Sequence, residues 1–98
     1  SISVLEAMAS SKPVITTHTG GVAEIIIEGK SGFLVPPGDT NKMSEKLAIL
    51  LKDKNLRTQM GQNAKDSLDS NLTITNMIRS NENLYEELIK VKGVTYAN

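Results

Sequence analysis

The chain has 98 residues, enough for one small domain or for part of a larger one. Its formal charge is zero, 11 Lys and Arg against 11 Asp and Glu, which argues against a nucleic-acid binder working through a basic face. With no Cys, no Trp, one Phe and two Tyr, it has no disulfide framework or thiolate metal site, and its core must be aliphatic.

The opening stretch, Ser1-Ile2-Ser3-Val4-Leu5-Glu6-Ala7-Met8-Ala9-Ser10, contains no Gly or Pro and reads as a helix. Ile2, Leu5 and Ala9 recur at i, i+3, i+7, and Val4 and Met8 widen that face. A helix apolar over nearly its whole circumference is expected to be buried. The exception is a narrow stripe of Ser3, Glu6 and Ser10. A carboxylate in a mostly buried helix needs a partner, either a protein cation or a ligand with hydroxyl donors. Ser1 is placed to N-cap the helix, so that free N–H groups of the first turn face outward, where a phosphate can bind. Glu6 lies just over one turn deeper, and its two oxygens suit neighbouring hydroxyls of a sugar. Phosphate at the helix start and a diol at the carboxylate form a nucleotide-sugar layout. A solvated helix edge with Glu6 in water accounts for the same residues equally well.

Ser11-Lys12 forms a short turn. Pro13-Val14-Ile15-Thr16-Thr17 is a strand, β-branched, with Pro tolerated at its first position. The run does not alternate with charged residues, as expected for a parallel strand covered on both faces. His18-Thr19-Gly20-Gly21 is the loop at its carboxyl end, where ligands bind in open parallel sheets. His18 is the titratable residue of that loop, although a solvated surface histidine is the commoner outcome. Gly20 and Gly21 serve a tight turn rather than a phosphate cradle, since no dinucleotide or Walker pattern is present. Residues 22–27 read as a short helix with Glu24 favourably placed in its first turn. Residues 28–32 are a turn by composition, and residues 32–35 hold a second buried strand, ended by Pro36-Pro37-Gly38. Strand, helix and strand at this spacing are the βαβ rhythm of an α/β fold.

Asp39, or Thr40 one residue later, caps the next helix, with Met43, Leu47, Leu50 and Leu51 inward and Lys42, Glu45, Lys46 and Lys52 outside. Asp53 caps another, striped by Leu56, Met60, Ala64 and Leu68. Gly61 costs that helix about 1 kcal/mol in propensity and permits close packing. Thr73 or Thr75 caps a single last helix whose face is Ile74, Met77, Ile78, Leu84, Tyr85, Leu88 and Val91. Asn81 falls on this stripe and needs either a hydrogen bond or a surface position. Met43, Met60 and Met77 read as core filling. The tail after Gly93 frays. No apolar run approaches the ~18 residues of a membrane span. The single His and scattered carboxylates offer no metal constellation, nucleophile elbow or identifiable hydrolytic pair.

Several of these residues also occur together in a known arrangement: Leu5-Glu6-Ala7-Met8-Ala9, Lys12-Pro13-Val14, Thr17, Gly20-Gly21, Glu24-Ile25-Ile26, Gly29, Gly32-Phe33-Leu34-Val35 and Pro37-Gly38-Asp39. In that order they resemble the C-terminal domain of the retaining GT-B glycosyltransferases, the glycosyl transferases group 1 family. The likeness runs through residues 1–39 and is looser in the helical remainder. It implies a Rossmann-like domain over residues 1–72, a C-terminal helix over 73–92 that returns toward an N-terminal domain, and a tail over 93–98. It also implies an exposed apolar patch on the last helix.

Glu6 matches the second glutamate of the family's Glu-x7-Glu motif, which places the first before Ser1. The resemblance therefore implies that Glu6 holds the ribose of a nucleotide-sugar donor and that Ser1, Ile2 and Ser3 face its sugar and distal phosphate. Ser1 departs from the glycine common there. His18, Gly20, Gly21 and Glu24 would belong to the donor-side loop. The implied reaction transfers a sugar to an acceptor hydroxyl with retention and without a metal. The nucleotide-sugar is a substrate rather than a cofactor. Catalytic basic residues and the acceptor site would lie outside this chain, which alone would be inactive. A cytoplasmic location is expected, with peripheral membrane attachment open to the N-terminal domain. Two other classes compete: a non-catalytic nucleotide-sugar-binding module, and a helical protein-interaction module acting through residues 40–92.

Overall fold

The structure, a computed structural model, describes residues 2–18 and 21–91. In order it has helix α1 (Ile2–Ala9), strand β1 (Ile15–Thr17), a 3-10 helix (Gly21–Ile25) and strand β2 (Phe33–Val35). Helices α2 (Thr40–Lys52), α3 (Lys54–Ser70), α4 (Leu72–Ser80) and α5 (Glu82–Val91) follow. This is the expected α/β arrangement, short parallel strands and then helices.

Helix α1 is covered as its composition requires. Leu5, Met8 and Ala9 are buried, and Val4 and Ala7 pack beside them. It closes in a Schellman turn: the Lys12 N–H donates to the Ala7 carbonyl (2.9 Å) and the Ser11 N–H to the Met8 carbonyl (3.1 Å). Ser11 takes the left-handed position of that turn, with φ 59°.

β1 and β2 pair in parallel, Ile15 opposite Phe33 and Thr17 opposite Val35. Both strands are shorter than expected. Residues 13 and 14 are still leaving the Schellman turn and Pro13 has no N–H, so only the Val14 carbonyl joins, accepting from the Phe33 N–H at 2.8 Å. Gly32 bridges to Glu28 instead of extending β2. A Cβ on Gly32 would lie 2.7 Å from the Val14 oxygen, so the crossover can close here only on glycine. Both sheet faces are covered. Val14 and Leu34 join the core built on α1, while Ile15 and Phe33 join a second core with Leu50, Leu56 and Met60.

Between the strands, the helix expected over residues 22–27 is a 3-10 helix over Gly21–Ile25. Five residues are too few for the cooperative i→i−4 ladder, and the tighter coil suits short connections. Ile25 and Ile26 are buried against the main core. Ile27 then enters a turn fastened by the buried Ser31, whose Oγ accepts from the Ile27 N–H at 2.8 Å.

α2 and α3 begin as expected, Asp39 accepting from the Lys42 N–H (2.9 Å) and Asp53 from the Leu56 N–H (3.0 Å). On α3 the stripe holds: Met60, Ala64 and Leu68 are buried and Leu56 packs beside Phe33. On α2 it does not. Leu50 alone is buried, Met43 is half-buried, and Leu47 and Leu51 are exposed. α2 is covered only where it meets the strands and α3. Lys46, expected in solvent, lies with its ammonium 4.9 Å from the centre of the Phe33 ring.

The single last helix is two helices. Asn71, not Thr73 or Thr75, caps α4, accepting from the Ile74 N–H at 2.9 Å. Asn81 ends α4 and starts α5. Its N–H donates to the Ile78 carbonyl (3.0 Å) while its Oδ1 accepts from the Leu84 N–H (3.2 Å). Ile74, Ile78, Leu84 and Leu88 complete the core around Leu5, Met8, Ala64 and Leu68. Met77 is 47% exposed and is not core filling, whereas Met60 is fully buried. The expected tail over 93–98 lies outside the described residues.

Candidate functional site

The Schellman turn joins α1 to β1, and Leu5, Met8 and Ala9 of α1 share a core with Val14 and Leu34 of the sheet. Ligands of open α/β sheets bind at the carboxyl end of the strands. By helix geometry the N–H groups of the first turn of α1 have no intrahelical partner. Ile2 and Ser3 belong to it, while Ser1 lies outside the described residues. Glu6 stands about 6 Å further along the axis than Ile2, from the rise per residue. Its side chain is half-buried and makes no hydrogen bond or ion pair among the described residues.

His18 follows β1 directly, in a bend, and is exposed. Gly20 lies outside the described residues, and Gly21 opens the 3-10 helix. Glu24 is exposed in the first turn of that helix and lines an open pocket with Asn71 and Thr73, which includes neither Glu6 nor His18. No hydrogen bond or ion pair joins Glu6, His18 and Glu24 among the described residues. Of these residues His18 lies at the carboxyl end of β1.

That end also carries a shallow, mostly apolar pocket lined by Thr17, Val35, Pro36, Asp39 and Met43. In the sequence these read as strand ends, a helix cap and, for Met43, core filling. The available signal was positional, since Thr17 and Val35 are the last residues of parallel strands. Asp39 is committed to its capping bond. Among the described residues no group of three or more His, Asp or Glu side chains is placed to hold a metal ion, and no helix is long and apolar enough to cross a membrane.

A family model described as glycosyl transferases group 1 matches residues 1–67, from α1 through most of α3. The chain belongs to that family. This glycosyltransferase chain is 33% identical over 87 residues to the N-acetyl-alpha-D-glucosaminyl L-malate synthase of Bacillus anthracis, covering 89% of this chain and 23% of that protein. It is 42% identical over 74 residues to the trehalose synthase of Thermococcus litoralis, covering 76% of this chain and 18% of that one. Its fold is similar to the crystal structure of the C-terminal domain of the group 1 glycosyl transferase LpcC from Francisella tularensis. That match has a TM-score of 0.63 at 39% identity, over 67% of this chain and 34% of that one. The glycosyltransferase chain thus spans about a quarter or less of the length of these curated relatives.

Proposed function

We propose that this chain is the donor-side part of a retaining GT-B glycosyltransferase that moves a sugar, of hexosyl type, from a nucleotide-sugar to an acceptor hydroxyl. The observation that carries the reading is Glu6, a half-buried carboxylate on a helix whose Leu5, Met8 and Ala9 are buried, without a side-chain partner among the described residues. In this reading Glu6 accepts hydrogen bonds from the two ribose hydroxyls. The amides of Ser1, Ile2 and Ser3 face the donor sugar and its distal phosphate, as donors fixed in advance of the charge that develops there. His18, Gly20, Gly21 and Glu24 form the loop on the donor side.

The nucleotide-sugar is a substrate, and transfer proceeds without a metal cofactor. Basic groups for the leaving phosphate and the acceptor site come from elsewhere in the intact enzyme. Residues 1–72 form the donor-binding part. Residues 73–92 brace the N-terminal domain, for which Met77 and Tyr85 offer exposed apolar side chains. The enzyme works in the cytoplasm, and the isolated chain does not turn over donor.

Calorimetric titration of the intact enzyme with UDP, GDP and ADP tests this. One of the three binds, and Glu6→Gln weakens that binding at least about tenfold, or ~1.5 kcal/mol, the low end for a hydrogen bond to a charged group. Folded protein that binds none of them, or binds equally well without the carboxylate, overturns the reading. A second reading, a helical protein-interaction module, draws on the exposed Leu47, Leu51 and Leu72. It requires a protein partner and no nucleotide contact, so the same titration separates the two.

A further inference from the structure

Glu6 has no side-chain partner among the described residues, so the place of its carboxylate is set by the seat of α1. That helix is eight residues long, too short to be stable by itself, and takes its position from its neighbours. Among the described residues the helices packed along it are α3 and α5. From α5 come Leu84 and Leu88, at i and i+4 on its inner face, both buried in one core with Leu5, Met8 and Ala9 of α1. Leu5 adjoins Glu6 in the chain and Met8 is fully buried, so a shift of this packing carries Glu6 with it. α5 lies wholly outside residues 1–67, the part that the family model matches.

A close-packed interior transmits displacement, because neighbours fill the space of a lost side chain only in part. A shift of ~1 Å is enough to spoil the hydrogen bonds of a positioned carboxylate. We propose that Leu88, supported by Leu84, is a positioning residue for the donor: it holds α1 where the Glu6 carboxylate meets both ribose hydroxyls. It acts through Leu5 and Met8 and makes no contact with the donor itself. The inference rests on the reading of Glu6 given above and adds α5 to it. In that reading the same helix braces the N-terminal domain, so the docking of that domain and the hold on the ribose share one element.

The test uses the intact enzyme and the nucleotide among UDP, GDP and ADP that it binds, titrated calorimetrically beside its 2′,3′-dideoxy analogue. The variants are Leu88→Ala, Leu88→Val, Leu88→Met and Leu50→Ala, each checked for folding by far-UV circular dichroism. Leu50 is buried in the other core, with Phe33 and Met60, and reports what a cavity away from α1 does. In the parent, removing the hydroxyls weakens binding at least about tenfold, the scale of a hydrogen bond to a charged group. In Leu88→Ala that penalty falls to about threefold or less, while affinity for the dideoxy analogue stays as in the parent. Leu88→Met, which refills the space, and Leu50→Ala keep the parental penalty. Where Leu88→Ala does not fold, Leu88→Val decides, with a penalty below that of the parent. A folded Leu88→Ala that keeps the full penalty, or Leu88→Val in its place, overturns the inference. An equal loss of the penalty in Leu50→Ala also overturns it, since the effect then reports general loosening. A parent without any penalty overturns the reading of Glu6, and this inference with it.

Discussion

The carbonyl of Ser11 occupies the space in which a side chain at Gly61 would begin. A Cβ built on Gly61 collides with the Ser11 oxygen and lies 2.7 Å from its carbon, so the turn after α1 and the middle of α3 meet backbone to backbone. Alanine there would gain about 1 kcal/mol of helix propensity. The obstacle is a main-chain carbonyl and cannot rotate aside as a side chain would. Overpacking of this kind costs roughly 1–3 kcal/mol before any propensity gain. Gly61→Ala is therefore expected to lower the urea midpoint. An unchanged or higher midpoint would show that α3 moves away from Ser11 at little cost.

Ser11 itself sits at φ 59°, where glycine is the usual residue of a Schellman turn. Ser11→Gly is expected to raise stability by about 0.5–1 kcal/mol by relieving the left-handed conformation, net of the extra chain entropy. Denaturation of single and double variants checks it. Because Ser11 and Gly61 touch, their effects are not expected to add.

The Arg57 guanidinium closes the end of α2. Its Nη1 donates to the carbonyls of Leu50 (2.6 Å) and Leu51 (2.9 Å), acceptors that a helix end leaves without intrahelical partners. Arg57→Met keeps much of the stem but removes both bonds, and should cost about 1–2 kcal/mol in thermal or urea unfolding. Arg57→Lys should recover part of that, since an ammonium can also donate to these carbonyls but sits on a flexible stem and is less pre-organised than the guanidinium. Equal stability of all three proteins would mean that water serves the carbonyls as well.

Asn81→Ala removes the side-chain cap of α5 and is expected to cost about 1 kcal/mol, with faster exchange at the Leu84 amide, whose acceptor is lost. If Leu84 protection is unchanged, α4 and α5 join as one helix when the asparagine is gone.

Asn81 also marks the boundary of what periodicity could show. The stripe from Ile74 to Leu88 stays in helical register across it, so pattern alone reads one helix. The double cap depends on a single side chain turning back on its own backbone, which no period records. The α3 stripe was legible because Met60, Ala64 and Leu68 all meet neighbours within the chain. The α2 stripe misled because Leu47 and Leu51 have the same spacing but little to cover them. Both strands, their parallel pairing and the caps at Asp39 and Asp53 followed from local chemistry. Glu6 stood out because a carboxylate breaks an apolar circumference. The contacts of Glu28 with Leu34 and of Lys46 with Phe33 could not be read ahead, because they depend on how a turn and a helix lie against a strand edge.

The central claim is that Glu6 holds the two hydroxyls of a donor ribose. The most direct measurement is a cycle on the intact enzyme: the binding nucleotide and its 2′,3′-dideoxy analogue, each titrated calorimetrically against the parent and Glu6→Gln. Removing the hydroxyls is expected to weaken binding to the parent at least about tenfold and to change binding to Glu6→Gln far less, because the charged acceptor is already gone. An equal loss in both proteins would contradict the assignment, since the hydroxyls would then be held by something other than Glu6.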